Sequence, residues 1–129
     1  MRQSPQLFGS AAMFILASMH GASAFSANFS WAGIRPCGGV SPAFTIRDAP
    51  KETASLRFIM SDKDAPHFKH GGSSVPYSGD GRVPEGTIHY IGPCPPAGAI
   101  HHYVWTIEAL DKSSKIVART TAEGDFPER

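Results

Sequence analysis

Alternating apolar and polar residues along the chain predict short β-strands. Residues 54–62 place Leu56, Phe58 and Met60 on one side of an extended chain, as in a strand that buries one face. Residues 101–110 are largely apolar at both odd and even positions, the pattern of a strand that is buried on both faces. The sequence therefore predicts strands over both segments, the second of them central in its sheet.

Turn residues divide the chain between these strands and further candidates. Residues 111–114 predict a turn that leads into a returning hairpin strand over residues 115–122. Weaker strands are predicted at residues 29–32, 42–46 and 86–91.

Proline and glycine recur too often after residue 24 for a helix of ten residues. Strands that are separated by turns, without helices, predict an all-β fold, an antiparallel β-sandwich with little helix. Residues 65–85 are rich in glycine, serine and proline, and they predict a long loop that is either functional or disordered.

The first 24 residues have the pattern of a secretory signal. Arg2 precedes a mostly apolar run over residues 7–19, and Ala22-Ser-Ala24 fits a cleavage site. The run is shorter than the roughly 18–20 residues that a membrane span needs. We therefore expect a signal peptide at residues 1–24, a mature domain at residues 25–129, and a periplasmic or secreted protein.

Charge and cysteine content narrow the class of protein further. Removal of residues 1–24 takes away one of 12 basic residues, Arg2, which leaves the basic residues equal in number to the 11 acidic ones. Such a neutral domain argues against nucleic acid and anionic membrane as partners. In an exported chain, Cys37 and Cys94 favour one disulfide that stabilises by roughly 4 kcal/mol; the alternative is two buried thiols.

Two groups of polar residues are candidates for a site. Asp62 ends the strand predicted over residues 54–62, and Asp64 lies on the same side of an extended chain. The two carboxylates could orient histidines, bind an amine or share a proton, but they are also ordinary turn residues. His67, His70, His101 and His102 are the second group, suited to anion binding, metal binding or proton transfer.

Adjacent histidines on a strand point to opposite faces, so at most one of His101 and His102 serves a given pocket. The spacing of histidines and cysteines does not match a metal site, although Asp62, His70 and His101 could form one. A nucleophile motif such as G-x-S-x-G is also missing from the sequence. We therefore predict neither an enzyme nor a resident metal or cofactor.

Six motifs in fixed order resemble the phosphatidylethanolamine-binding protein family, in its bacterial branch of Raf kinase inhibitor-like proteins. They are Ser41-Pro-Ala-Phe44, Thr53-x-Ser-Leu-x-Phe58, Met60-Ser-Asp-Lys-Asp-Ala-Pro66, Gly92-Pro-Cys-Pro-Pro96, His101-His-Tyr103 and Ala109-Leu-Asp111. The resemblance implies a Greek-key β-sandwich with a small anion pocket for phosphate-bearing head groups such as phosphoethanolamine. The ligand-binding residues that it implies are Asp62, Asp64, Pro66, His70, Gly92, Pro95, Pro96, His101 and Tyr103.

The sequence thus predicts an exported binding protein for a small phosphorylated or anionic ligand. Because relatives are linked to kinase or protease inhibition, the alternative is an inhibitor or regulator that contacts a partner protein through the pocket rim. In both hypotheses His102 lies outside the pocket.

Overall fold

The computed structural model describes residues 2–6, 9–14 and 23–129. The predicted signal peptide includes residues 1, 7–8 and 15–22, which lie outside the described residues, so cleavage before Phe25 stays a prediction. No helix in the described part of the chain is long and apolar enough to cross a membrane.

Within the described residues, seven strands form two antiparallel sheets. One sheet has the order β1-β2-β5 and the other the order β4-β3-β6-β7. The strands are β1 (Ser26–Phe29), β2 (Phe44–Arg47), β3 (Ser55–Asp62), β4 (Gly72–Pro76), β5 (Arg82–Val83), β6 (His101–Leu110) and β7 (Ile116–Phe126). No helix occurs among the described residues, and the predicted all-β class is confirmed.

The core lies between the two sheets and is rich in aromatic rings. Phe44 of β2 reaches across to Phe58 of β3, with ring centroids 4.8 Å apart, and to Trp105 of β6 at 5.4 Å. Phe58 and Trp105 are completely buried. The alternation of apolar residues that predicted these strands therefore places one face of each in a sandwich core.

The strands β3 and β6 match their predictions closely. They pair antiparallel with Phe58 opposite Ile107 and Met60 opposite Trp105. Each has a second neighbour in the sheet, β4 for β3 and β7 for β6, so β6 is central, as predicted. The turn at 111–114 is confirmed too, because Asp111 accepts hydrogen bonds from the backbone N–H groups of Ser113 and Lys115.

Other boundaries differ from the predictions. The loop predicted at residues 65–85 contains β4 and β5, whereas residues 86–91 form no strand. Gly72 explains why β4 was missed: a Cβ there would lie 1.7 Å from the Phe58 carbonyl oxygen, so this strand begins at a residue without a side chain. The strand predicted at 29–32 lies three residues earlier, and β7 continues to Phe126.

Candidate functional site

A pocket of about 480 Å³ opens at the end of the sandwich where β3 ends and β6 begins. The pairing of these strands sets Asp62 opposite Tyr103, so the last residue of β3 and the start of β6 share one wall. The pocket is lined by Cys37, Asp62, Ala65, Phe68, His70, Ile91, Gly92, Cys94, Pro96, His101 and Tyr103.

Asp62 fixes the orientation of His101. The carboxylate is 4% exposed, and its Oδ2 lies 2.6 Å from Nδ1 of the imidazole. Because an ionised carboxylate can only accept, Nδ1 carries the proton and Nε2 is left for another partner. The backbone N–H of Asp64 donates to the other oxygen of Asp62 at 2.8 Å.

His70 is held in the same manner by a backbone carbonyl. Its ring is buried, and Nδ1 donates to the carbonyl oxygen of Ile91 at 2.7 Å. Phe68 packs on one side of this ring with centroids 4.6 Å apart, and Tyr103 meets it edge to face. The pocket wall therefore contains two imidazoles whose Nδ1 atoms are hydrogen-bonded and whose Nε2 atoms have no hydrogen-bond partner in the part of the chain that the structure describes.

The Tyr103 hydroxyl is the third polar group of the pocket. The side chain is 1% exposed, and its oxygen forms no hydrogen bond of good geometry among the described residues, although the Asp62 carboxylate and the Cys94 backbone lie near it. Burial, followed by the negative charge of Asp62, raises the pKa of Tyr103 to about 12. The hydroxyl thus stays protonated near neutral pH and can donate a hydrogen bond to a ligand.

A disulfide and a close backbone contact brace the opposite wall. Cys37 is bonded to Cys94, as predicted. Beside the disulfide, the Gly92 N–H donates to the Gly38 carbonyl oxygen at 3.0 Å. A Cβ on Gly92 would lie 2.0 Å from that oxygen, so glycine is required here. The Gly92 N–H is therefore already used within the protein, while Gly92 itself lines the pocket as predicted.

Three of the nine predicted ligand-binding residues lie outside the pocket wall. Asp64 is partly exposed and turns to His102, whose backbone N–H and Nδ1 both lie within 2.8 Å of its Oδ2. Pro66 is exposed in the turn after β3, and Pro95 lines a separate groove beside Trp31. The other six, Asp62, His70, Gly92, Pro96, His101 and Tyr103, line the pocket together, and His102 lies outside it.

The pairing of Asp64 with His102 perturbs both groups. The His102 backbone N–H and then its ring hold the pKa of Asp64 below its ordinary value of 3.8. The hydrogen bond that the His102 ring donates to Asp64, aided by the charge of Asp125, raises the pKa of His102 above its ordinary value of 6.5. The two aspartates predicted to act on one side of the chain therefore orient two different histidines.

Sequence reasoning missed the apolar part of the wall. Phe68 and Ile91 line the pocket and are nevertheless 51% and 54% exposed, and Ala65 lies beside them. All three occur in loops, although a strand was predicted over residues 86–91, which include Ile91. An exposed large apolar side chain next to candidate polar residues is the feature that would have revealed them.

Ligand atoms of Asp62, Asp64 and His101 lie within 4.8 Å of one another, a spacing that metal sites also show. Both oxygens of Asp62, however, already accept hydrogen bonds from His101 and Asp64. This cluster differs from the considered set of Asp62, His70 and His101, and its hydrogen bonds give each member a partner without an ion.

Comparison with known proteins identifies the fold family. The model of the family described as phosphatidylethanolamine-binding protein matches residues 19–127. The chain belongs to the phosphatidylethanolamine-binding protein family. The resemblance drawn from the sequence motifs is thereby confirmed, and the bacterial branch fits.

Relatives of this family differ in how much of this chain they cover. A UPF0098 protein of Methanothermobacter thermautotrophicus is 35% identical over 56% of this chain, and the chain spans 61% of that protein's length. A crystal structure of a phosphatidylethanolamine-binding protein homologue from Chlamydia trachomatis covers 81% of this chain and 99% of its own, with 20% identity and a TM-score of 0.56. YbcL of E. coli covers 68% of this chain and 79% of its own at 21% identity, with a TM-score of 0.46.

Proposed function

We propose that this chain is an exported binding protein for small ligands that carry a phosphate or another anionic head group such as phosphoethanolamine. The proposal assigns binding and no reaction to the pocket. Membership of the phosphatidylethanolamine-binding protein family supports a ligand-binding or regulatory role in general. The finer assignment depends on the polar groups of the pocket.

The Tyr103 hydroxyl is the single observation that carries this proposal. A buried hydroxyl without a partner costs roughly 1–3 kcal/mol relative to one that is hydrogen-bonded. An anion in the pocket would remove that cost, because its oxygen would accept the hydrogen bond. A ligand that supplies acceptors is therefore favoured over one that supplies only donors.

The two imidazoles extend this preference to phosphate. When protonated, His70 and His101 each offer Nε2–H as a charged donor to a phosphate oxygen. When neutral, each Nε2 accepts from a ligand hydroxyl or from a singly protonated phosphate. We therefore expect phosphate-bearing ligands to bind better than ligands of similar size that lack hydrogen-bond acceptors.

Export is the second part of the proposal. Disulfides form and persist in oxidising compartments and are rare in reducing ones. The bond between Cys37 and Cys94 supports a periplasmic or secreted location, in line with the signal pattern of residues 1–24.

A pair of tyrosine variants tests the pocket. We expect Tyr103→Phe to weaken binding of O-phosphoethanolamine about tenfold, because it removes only the hydroxyl that awaits an acceptor. The free energy of unfolding should stay the same or rise by about 1 kcal/mol, since no hydrogen bond is lost. Ligand binding is measured by NMR titration of the histidine ring signals, and unfolding by denaturant.

Tyr90→Phe is the matched control. Tyr90 also has a pKa raised to about 12 by burial, but its hydroxyl donates to the Val40 carbonyl oxygen at 3.0 Å, outside the pocket. This variant should lose about 1 kcal/mol of stability and keep its affinity. Equal affinity in the wild type and in Tyr103→Phe would refute the proposed role of the pocket.

A further inference from the structure

The disulfide between Cys37 and Cys94 lies at the surface of the protein. Both half-cystines are exposed, and both line the pocket. Exposed disulfides are more easily reduced than buried structural ones, and the regulatory and catalytic disulfides belong to this exposed class. A small molecule that enters the pocket therefore meets the S–S bond in the folded protein.

The sulfur atoms share the pocket with groups that can bind an anion. The Tyr103 hydroxyl lies near the Cys94 backbone, and the His101 ring lines the same wall. Asp62 is also part of this wall, but its two oxygens already accept hydrogen bonds from the His101 ring and from the Asp64 N–H. The volume of about 480 Å³ admits a small thiol whose anionic group binds these donors and whose sulfur lies beside the disulfide.

Backbone hydrogen bonds hold the two cysteine segments together independently of the S–S bond. The Cys37 N–H donates to the Pro93 carbonyl oxygen at 2.8 Å, and the Gly92 N–H donates to the Gly38 carbonyl oxygen at 3.0 Å. Cys37 has a φ of 60°, a left-handed conformation that residues with a side chain rarely adopt. After reduction the backbone still holds the two thiols on neighbouring segments, so the bond can form again.

We propose that the pocket disulfide exchanges with small thiols that carry an anionic group such as a carboxylate, a sulfonate or a phosphate. Each thiol first releases its proton to the solvent. The sulfur of the first thiolate forms a bond with Sγ of Cys94, the disulfide breaks, and its electron pair leaves on Sγ of Cys37, which takes a proton from the solvent. Cys94 is the attacked residue because its backbone lies near the Tyr103 hydroxyl.

A second thiolate completes the reaction. Its sulfur attacks the sulfur of the first thiol in the mixed disulfide, and Cys94 leaves as a thiolate that is then protonated. The protein disulfide is thereby reduced to two thiols, and the two small thiols are oxidised to one small disulfide. The small thiol is thus the only co-reactant.

The exchange inference rests on the proposed function in one respect: the pocket binds anions. It adds a reaction of the protein's own disulfide and assigns no reaction to the phosphate-bearing ligand. The competing interpretation is a purely stabilising bond that thiols reach only in unfolded molecules. Exposure of both half-cystines in the folded chain favours exchange in the folded state.

Reduction kinetics test the proposal with mercaptoethanesulfonate and mercaptoethanol, an anionic and a neutral thiol, at equal thiolate concentrations. Free cysteines are alkylated at intervals and counted by mass spectrometry. We expect the anionic thiol to react about tenfold faster, because the pocket donors hold its sulfonate. Tyr103→Phe should lose most of this advantage and keep its rate with the neutral thiol, whereas Tyr90→Phe should behave like the wild type.

A destabilised variant separates attack on the folded protein from attack on unfolded molecules. Glu108→Gln removes a carboxylate that binds Arg57 and Arg119 and does not line the pocket. A bond that is accessible only after unfolding would be reduced faster in this variant, in proportion to its loss of stability. We expect its rate with each thiol to equal that of the wild type.

Titration with O-phosphoethanolamine separates failure of the exchange from failure of the proposed function. Ligand binding together with equal rates for the two thiols would overturn the exchange and leave the proposed function standing. Faster reduction of Glu108→Gln by both thiols would also overturn it. Equal rates without ligand binding would refute both proposals.

Discussion

At the scale of single residues, the turn after β3 links two aspartate–histidine pairs. Asp62 accepts a hydrogen bond from His101 inside the pocket, and Asp64 accepts one from His102 outside it. The backbone N–H of Asp64 donates to the Asp62 carboxylate and so links the two pairs. Groups from neighbouring strands face His102 as well: Asp125 lies 3.7 Å from its Nε2, and Lys63 is paired with Glu123. The outer pair therefore fastens the turn that orients the inner one.

This arrangement predicts a stability that depends on pH. His102 has a raised pKa, so its contribution is complete below 6.5 and disappears as the pH rises through the raised value. Asp64 has a lowered pKa, so its contribution is complete above 3.8 and disappears as the pH falls through the lowered value. His102→Gln should therefore lower Tm most between these two pH values and progressively less above neutrality. In thermal unfolding across pH, His89→Gln is the control, and a loss of Tm independent of pH would contradict the prediction.

At the scale of elements, a charged triad joins three strands across the outer face of the larger sheet. Glu108 of β6 lies directly opposite Arg57 of β3 and Arg119 of β7. Its carboxylate is 6% exposed and binds both guanidinium groups. Hydrogen bonds from Arg119 and then Arg57 hold the pKa of Glu108 below its ordinary value of 4.5.

We expect Glu108→Gln to lower the free energy of unfolding by about 1–2 kcal/mol, because it removes the charge that both guanidinium groups bind. The loss stays this small because both arginines are partly exposed and can be hydrated instead. Glu123→Gln, which breaks the exposed pair with Lys63, should cost less than about 1 kcal/mol. The contribution of Glu108 should be complete above pH 4.5 and decrease as the pH falls through its lowered pKa. Denaturant unfolding measures both variants, and equal losses would argue against the triad.

The strands show which part of the fold can be predicted from sequence. Alternation located β3 and β6 because one or both faces are apolar. The same alternation predicted a strand at residues 86–91, where Ile88 is buried. There, the backbone N–H groups of Ile88 and His89 donate to the side chains of Ser41 and Ser73 instead of to a neighbouring strand. The buried position of Ile88 among exposed neighbours therefore resembles a strand. The pattern of apolar residues does not, however, determine whether the backbone of residues 86–91 pairs with another strand.

At the scale of the whole molecule, the sequence indicated the polar residues of the pocket wall but not its exposed apolar residues. The family resemblance implied that Asp62, His70, His101 and Tyr103 lie together, and the fold places all four in the wall of one pocket. The use of the Gly92 N–H by Gly38 depends on two segments distant in sequence. Such a contact leaves no trace in local spacing.

The disulfide connects these distant segments and should matter for both stability and binding. Replacing Cys37 and Cys94 together by serine should lower the free energy of unfolding by about 4 kcal/mol, since the bond closes a separation of 57 residues. Because both half-cystines line the pocket, affinity for O-phosphoethanolamine should fall as well. Denaturant unfolding and ligand titration of the double variant test this, and unchanged affinity would show that the backbone contacts alone maintain the wall.

The same bond makes residues 37–94 a closed covalent ring that contains β2, β3, β4 and β5. A single protease cut within the ring yields two peptides that remain attached to each other, each carrying one part of the pocket. On a gel without reductant, such nicked molecules migrate close to intact ones, and only reduction separates the fragments. Resistance of the protein to proteases should therefore be measured on gels run with reductant. Without reductant, molecules that have been cut within the ring are still held together by the disulfide and are counted as intact.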